Sequence, residues 1–220
     1  MSLNAELQTF YQARRLQMPA DVRDTMARAT LALTESGQAE RAVSAGDRAP
    51  LFDLPDAAGQ SVRLAEALAA GPVVLVFYRG GWCPYCNLAL RALQQVHDQI
   101  TARGARLIAL SPQTPDDSAA LADKQQLTFD LLTDPGCETA KLYGLSFDIG
   151  DELAAVYQRI GLDLDRTNAG HARTLPIPAA YVIAADGTIA WSLADADYTR
   201  RAEPADVLAA LDRLGRVDAV

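Results

Sequence analysis

Cysteine and histidine are both scarce in this sequence, with three cysteines and two histidines in 220 residues. Disulfide-built scaffolds are denser in cysteine and usually shorter, so that class is excluded. Only Cys83 and Cys86 lie close together, and a four-ligand zinc site would have to recruit Cys137 and a histidine from distant segments. No metal is expected, and no cofactor. A surplus of basic charge is missing too, since 20 Lys and Arg stand against 28 Asp and Glu for a net charge of −8. Nothing in that balance suits a phosphate backbone or an anionic membrane surface, so neither nucleic acid nor membrane is an expected partner. Long apolar runs are absent as well: stretches such as 73–78 fall far below the roughly 20 residues of a membrane-spanning helix. The start, MSLNAELQTFYQARR, has no apolar core behind a basic stretch and reads as an amphipathic helix rather than a secretory signal, which places the chain in the cytoplasm.

What is present is a globular composition, 50% hydrophobic and 22% charged, able to bury a sizeable core. Helical spacing of Leu3, Leu7, Phe10 and Tyr11, and again of Val22, Met26, Ala29 and Leu33, predicts two helices broken at Pro19. Gly46 and Pro50 punctuate the chain beyond them, so residues 1–44 are expected to form a helical extension and 45–220 the main domain. In that domain two short extended pieces flank a turn at 56–59. The β-branched and aromatic run 73–78 predicts a strand buried on both faces, and 83–103 a long helix closed by Gly104. Strands at 106–110 and 129–132 alternate with a helix at 115–126, and helical turns are expected at 136–143 and 151–160. Asp186-Gly187 joins strands 180–184 and 188–193 in a hairpin, and a helix follows at 204–214. The pattern predicts an α/β fold, a mixed central sheet with helices on both faces.

The chemistry concentrates in Arg79-Gly80-Gly81-Trp82-Cys83-Pro84-Tyr85-Cys86, between the expected strand and helix. A helix start offers unpaired N–H groups and the positive end of the macrodipole, which lower a thiol pKa. Pro84 suits the first helical position. Residues three apart on a helical turn are close enough for Cys83 and Cys86 to close a redox-active disulfide with modest adjustment. Arg79 adds a fixed positive charge able to stabilise a thiolate or an approaching anion. Gly80 and Gly81 suggest close backbone approach. Trp82 is expected to pack beside the dithiol, and Tyr85 to shape the turn or stack on substrate.

These residues carry a family resemblance. FYRGGWCPYCNLALRAL, with GDRAPLFDLPDAAGQSVRL before it and LPIPAAYVIAADGTI after it, resembles the peroxiredoxin-like branch of the alkyl hydroperoxide reductase C and thiol-specific antioxidant family. The resemblance implies a thioredoxin fold and reduction of hydrogen peroxide or organic hydroperoxides. Aligned with the family's Pro-x-x-x-Thr-x-x-Cys motif, Arg79 stands at the proline, Cys83 at the threonine and Cys86 at the peroxidatic cysteine. The family's catalytic arginine falls on Pro178, so that role is read as lost. Trp82-Cys83-Pro84-Tyr85-Cys86 is also similar to the thioredoxin and glutaredoxin motif, and Ile177-Pro178-Ala179 to the cis-proline loop that faces it. The buried acid of thioredoxins falls on Phe77.

Three readings follow. In the first, a thiol peroxidase uses Cys86 as peroxidatic and Cys83 as resolving cysteine, recycled by a thioredoxin-, glutaredoxin- or glutathione-type reductant. In the second, a dithiol-disulfide oxidoreductase attacks with Cys83, expected to be the more exposed sulfur, and resolves with Cys86. The third is a redox sensor without turnover. Cys137 is expected to be a small buried residue rather than a resolver, His97 a surface residue, and His171 a loop residue with some chance of approaching the dithiol. The N-terminal helices either cover the domain's own core or form a homodimer interface.

Overall fold

The computed structural model describes residues 2–217; the last three residues of the expected 45–220 domain lie outside that range. The chain opens with helices α1 (Leu3–Gln17) and α2 (Ala20–Glu35), then a hairpin of β1 (Asp53–Pro55) and β2 (Ser61–Arg63), and α3 (Leu64–Ala70). Next come β3 (Val73–Phe77), α4 (Pro84–Gln95), α5 (His97–Thr101), β4 (Arg106–Ser111), α6 (Pro115–Gln125) and β5 (Asp130–Thr133). A 3-10 turn leads into α7 (Glu138–Leu142), followed by β6 (Ser146–Asp148), α8 (Asp151–Arg159) and α9 (Leu164–Thr167). The chain then runs through β7 (Thr174–Pro176), β8 (Ala179–Ile183), β9 (Ile189–Ala194) and α10 (Pro204–Val217). The main sheet has the order β5-β4-β3-β8-β9. Its first three strands are parallel and the last two antiparallel, the mixed sheet expected from the alternation of elements.

β3 is buried along its whole length, and because successive side chains point to opposite faces it divides the core in two. Val74 and Val76 join Cys86, Leu90, Leu93 and Val207 on one face. Val73, Leu75 and Phe77 join Tyr143, Tyr181 and Cys137 on the other. Leu3 and Leu7 of α1 are buried in the first of these clusters, so the N-terminal helix covers the protein's own core. Its start is held by Glu203, whose carboxylate accepts from the Leu3 and Asn4 N–H groups at 2.9 and 2.8 Å. Those two donors would otherwise be among the orphaned amides of a helix start.

The expected single helix over 83–103 is two helices. At Val96 the backbone leaves helical geometry (φ −112°, ψ 7°), and Thr128 draws the chain over there, receiving Gln94 Nε2 and contacting His97 Nδ1, each at 2.9 Å. The β6–β7 pair and α9 were not foreseen, since three-residue strands that pair across 146–148 and 174–176 leave no local periodicity.

Candidate active site

The CxxC lies where β3 hands the chain to α4. Cys83 is the N-cap residue, Pro84 occupies the first turn, and Cys86 sits one position before Asn87, whose N–H bonds back to the Cys83 carbonyl at 3.1 Å. The loop before it is fixed by polar contacts. The Gly81 N–H donates to Gln113 Oε1 at 2.6 Å and the Gly81 carbonyl accepts from Asn87 Nδ2 at 2.9 Å. Gln113 is buried and its amide also donates to Tyr78 Oη and Ser118 Oγ. The close approach expected at the glycine pair comes from within: Gly80 has φ +139°, and a Cβ there would lie 2.5 Å from the Trp82 indole nitrogen.

Both thiols are free. Cys86 Sγ accepts from the Arg79 N–H at 3.4 Å and from Arg201 Nη2 at 3.1 Å, and the Cys83 thiol lies near enough to influence it. Burial alone pushes the Cys86 thiol up. The Cys83 S–H, the Arg201 guanidinium and the Arg79 N–H outweigh it and hold Cys86 well below the ordinary thiol range. Cys83 goes the opposite way, raised by its bond to Cys86 and by burial. These surroundings favour a negative charge on Cys86 Sγ over one on Cys83.

Arg201 corrects the expectation that the arginine role aligned with Pro178 is lost. It reaches Cys86 from the segment between β9 and α10, 115 positions along the chain, with its other terminal nitrogen on the Tyr198 carbonyl at 2.7 Å. Its backbone is clamped by Asn4, which accepts from the Arg201 N–H at 3.1 Å and donates to the Arg201 carbonyl at 2.8 Å. The start of α1 thus sets the position of a guanidinium at the thiolate. Asn4→Ala is expected to slow oxidation of Cys86 by peroxide about tenfold and to move the acid limb of the rate towards higher pH, as hydrogen bonds worth roughly 0.5–1.5 kcal/mol each are lost. Stopped-flow rates across pH check this, and a fall in rate with no movement of the limb would reduce Asn4 to a purely structural residue.

Cys83 is 2% exposed and Cys86 0%, so Cys83 is the more exposed sulfur, as expected, although both are buried. Cys83 forms part of the wall of a pocket of about 320 Å³, together with Phe10, Arg79, Trp82, Tyr85, Tyr157 and Tyr198. Tyr85 packs edge-on between Phe10 and Tyr198, each ring pair at 5.3 Å. Pro178 borders Arg79 and Tyr157 on one side and Arg201 on another. Its peptide bond is trans, contrary to the cis-proline comparison. The Ile177 N–H on the Leu145 carbonyl and the Pro178 carbonyl on the Asp195 N–H carry the chain extended from β7 into β8, the conformation preferred before proline.

The remaining candidates lie elsewhere. Cys137 is buried on the opposite face of the sheet from Cys86, its thiol pushed up by burial. His171 is exposed and lies over Gly136, where a Cβ would meet its ring at 3.1 Å. His97 is half-buried against Phe129. Gln113, Asn4 and Arg201 were missed by sequence reasoning; each acts through a partner distant along the chain, and no local spacing signals it.

An α/β sheet with a CxxC at the start of a helix packed on one face defines a thioredoxin-fold protein. The family model described as AhpC/TSA family matches residues 45–192, and the chain belongs to that family. A putative peroxiredoxin of Mycobacterium tuberculosis is 35% identical over 99 residues, 45% of this chain and 62% of that protein. Peroxiredoxin Bcp of Escherichia coli is 29% identical over 103 residues, 47% and 65% of the two chains. The chain thus spans less than two thirds of these relatives. Among solved structures, peroxidoxin BcpB from Mycobacterium tuberculosis superposes with a TM-score of 0.61 at 21% identity, covering 78% of this chain and 98% of that one. The peroxiredoxin 6 of Arenicola marina, as a cysteine-to-serine mutant, gives 0.64 at 19% identity over 80% and 75%. At these identities the likeness establishes the fold. Asn4 and Arg201 both lie outside the family-matched residues.

Proposed function

We propose that the protein is a thiol-dependent peroxidase in which Cys86 is the peroxidatic and Cys83 the resolving cysteine. The observation that carries this reading is the pair of donors converging on Cys86 Sγ, the Arg201 guanidinium at 3.1 Å and the Arg79 N–H at 3.4 Å. Family membership and relatives named peroxiredoxin point the same way. The Cys86 thiolate attacks one peroxide oxygen, the O–O bond breaks, and two electrons pass from sulfur to the departing oxygen. That oxygen leaves as alcohol or water, taking the proton of Cys83, and Cys86 is left as a sulfenic acid. The Cys83 thiolate so formed attacks the Cys86 sulfur, closes the disulfide and expels hydroxide, which is protonated to water. An external thiol of the thioredoxin, glutaredoxin or glutathione class supplies the two electrons that reopen it. Such a cycle fits a reducing compartment, in keeping with the cytoplasmic expectation.

Cys83 stands where the family carries a hydroxyl residue, and its S–H gives Cys86 the hydrogen bond that a hydroxyl would give. The second reading, a dithiol-disulfide oxidoreductase with Cys83 as nucleophile, is favoured by the place of Cys83 in the pocket wall while Cys86 lies behind it. Cys83→Ser separates the two. Under the peroxidase reading this variant consumes one equivalent of peroxide, stops, and yields a Cys86 sulfenic acid that dimedone traps and mass spectrometry locates. Under the oxidoreductase reading it fails to reduce a disulfide such as insulin's, and Cys86 shows no peroxide reaction above that of an ordinary thiol.

A further inference from the structure

The Arg79 guanidinium helps to hold Cys86 low by its charge, but its side-chain hydrogen bond goes to Tyr157. The side chain is 3% exposed, and among the described residues no carboxylate pairs with it. Its charge is met instead by three rings, Trp82 and Tyr198 at 5.1 Å and Tyr157 at 5.8 Å from the guanidinium carbon, and by the Tyr157 hydroxyl, which accepts from Nη2. Its Nε is buried without any partner. Buried cations are ordinarily paired, because an unpaired one forgoes its hydration. Cys86 Sγ does not supply that partner: its donors are Arg201 Nη2 and the Arg79 backbone N–H. Arg79 nevertheless lines the pocket beside Cys83, where an incoming molecule meets it.

The pocket, about 320 Å³, has room for a molecule larger than hydrogen peroxide. Its walls include Phe10, Met18 and Leu162, and Arg14 adds a second positive charge from α1. An apolar cavity with one aimed charged group is how small-molecule sites combine affinity with orientation.

We propose that Arg79 binds a carboxylate of the substrate, and that the substrate class is a small organic hydroperoxide with an apolar body and a carboxylate at the end away from the O–O bond. This rests on the peroxidase reading. The planar guanidinium binds a carboxylate with two donors: the orphaned Nε is one, and Nη2, now on the Tyr157 hydroxyl, is the other. The rings around Arg79 shield it, and the apolar walls hold the body of the substrate with its peroxide end at the Cys83 wall, behind which Cys86 lies.

The test compares cumene hydroperoxide with its para-carboxylate in stopped-flow oxidation of the reduced protein. The wild type is expected to react at least tenfold faster with the carboxylate, and Arg79→Gln, which keeps the backbone N–H on Cys86, to bring the ratio close to one. In parallel, 4-isopropylbenzoate and its neutral amide are titrated into the Cys83→Ser/Cys86→Ser protein, read by tryptophan fluorescence, since Trp82 lies against Arg79. Saturable binding of the benzoate alone, lost in Arg79→Gln, supports the site independently of turnover. Equal rates with both peroxides, together with no benzoate binding, overturn it. A carboxylate effect seen only in the reductive half, when glutathione replaces 2-mercaptoethanol, places the anion on the reductant and overturns the substrate assignment. If neither hydroperoxide is consumed, the peroxidase reading itself has failed, and the binding result shows whether Arg79 still holds a carboxylate.

Discussion

Cys86→Ser is expected to remove the fast reaction of the reduced protein with hydroperoxide altogether, leaving no rapid phase of tryptophan fluorescence in stopped-flow mixing at any peroxide concentration. A serine hydroxyl keeps its proton far above neutral pH, so the Arg201 guanidinium and Arg79 N–H that favour the thiolate find no anion to stabilise. Oxygen is smaller than sulfur and still accepts hydrogen bonds, so the fold is expected to survive and circular dichroism to match the wild type. The wild-type rate is expected to exceed that of an ordinary thiolate by orders of magnitude, because the pocket supplies preorganised donors as well as charge. A wild-type rate like that of a free thiol, or a Cys86→Ser variant that keeps the fast phase, would sink the assignment of Cys86.

Arg201→Ala carries the second large effect, a fall of about 10²–10³ in the peroxide rate constant, the size seen when one preorganised donor is removed from a site of developing charge. The variant also changes the pH dependence, and the sign follows from the direction of the shift. A thiol whose pKa is depressed in the folded protein is fully reactive above that pKa and loses reactivity as pH falls through it. Without the guanidinium the Cys86 pKa rises towards its ordinary value, so the acid limb moves to higher pH and part of the loss is recovered in alkali. Arg201→Lys keeps the charge but cannot hold both the Tyr198 carbonyl and Cys86 Sγ in one rigid fork, and is expected to fall between the two. An unchanged rate and an unmoved limb in Arg201→Ala would show that the contact at 3.1 Å contributes nothing to the chemistry.

These effects couple to the N-terminal helix. Asn4 holds Arg201 by both its N–H and its carbonyl, and Glu203, two residues on, holds the start of α1. The helix that buries Leu3 and Leu7 is thereby tied to the guanidinium that faces the thiolate, and its Phe10, Arg14 and Met18 line the pocket. Core packing and site assembly share one element, so a change in α1 is felt in both stability and reactivity.

Local chemistry was readable from the sequence alone. The apolar run 73–78, the proline after Cys83 and the apolar spacing beyond it determined a strand, a helix start and a dithiol on its first turn, because each depends on contacts within a few residues. The alternation of strands and helices determined the mixed sheet for the same reason. Other features were decided by tertiary structure. The face of the sheet that Cys137 joins, the pocket at Cys83 and the break at Val96 all depend on segments that meet only when the chain is folded. The arginine at the cysteine is the sharpest case: alignment within the motif led to Pro178, whereas the guanidinium comes from Arg201, 115 positions from Cys86, and is held by Asn4 at the other end of the chain. An electrostatic partner needs only to be near in space, so sequence spacing carries no trace of it.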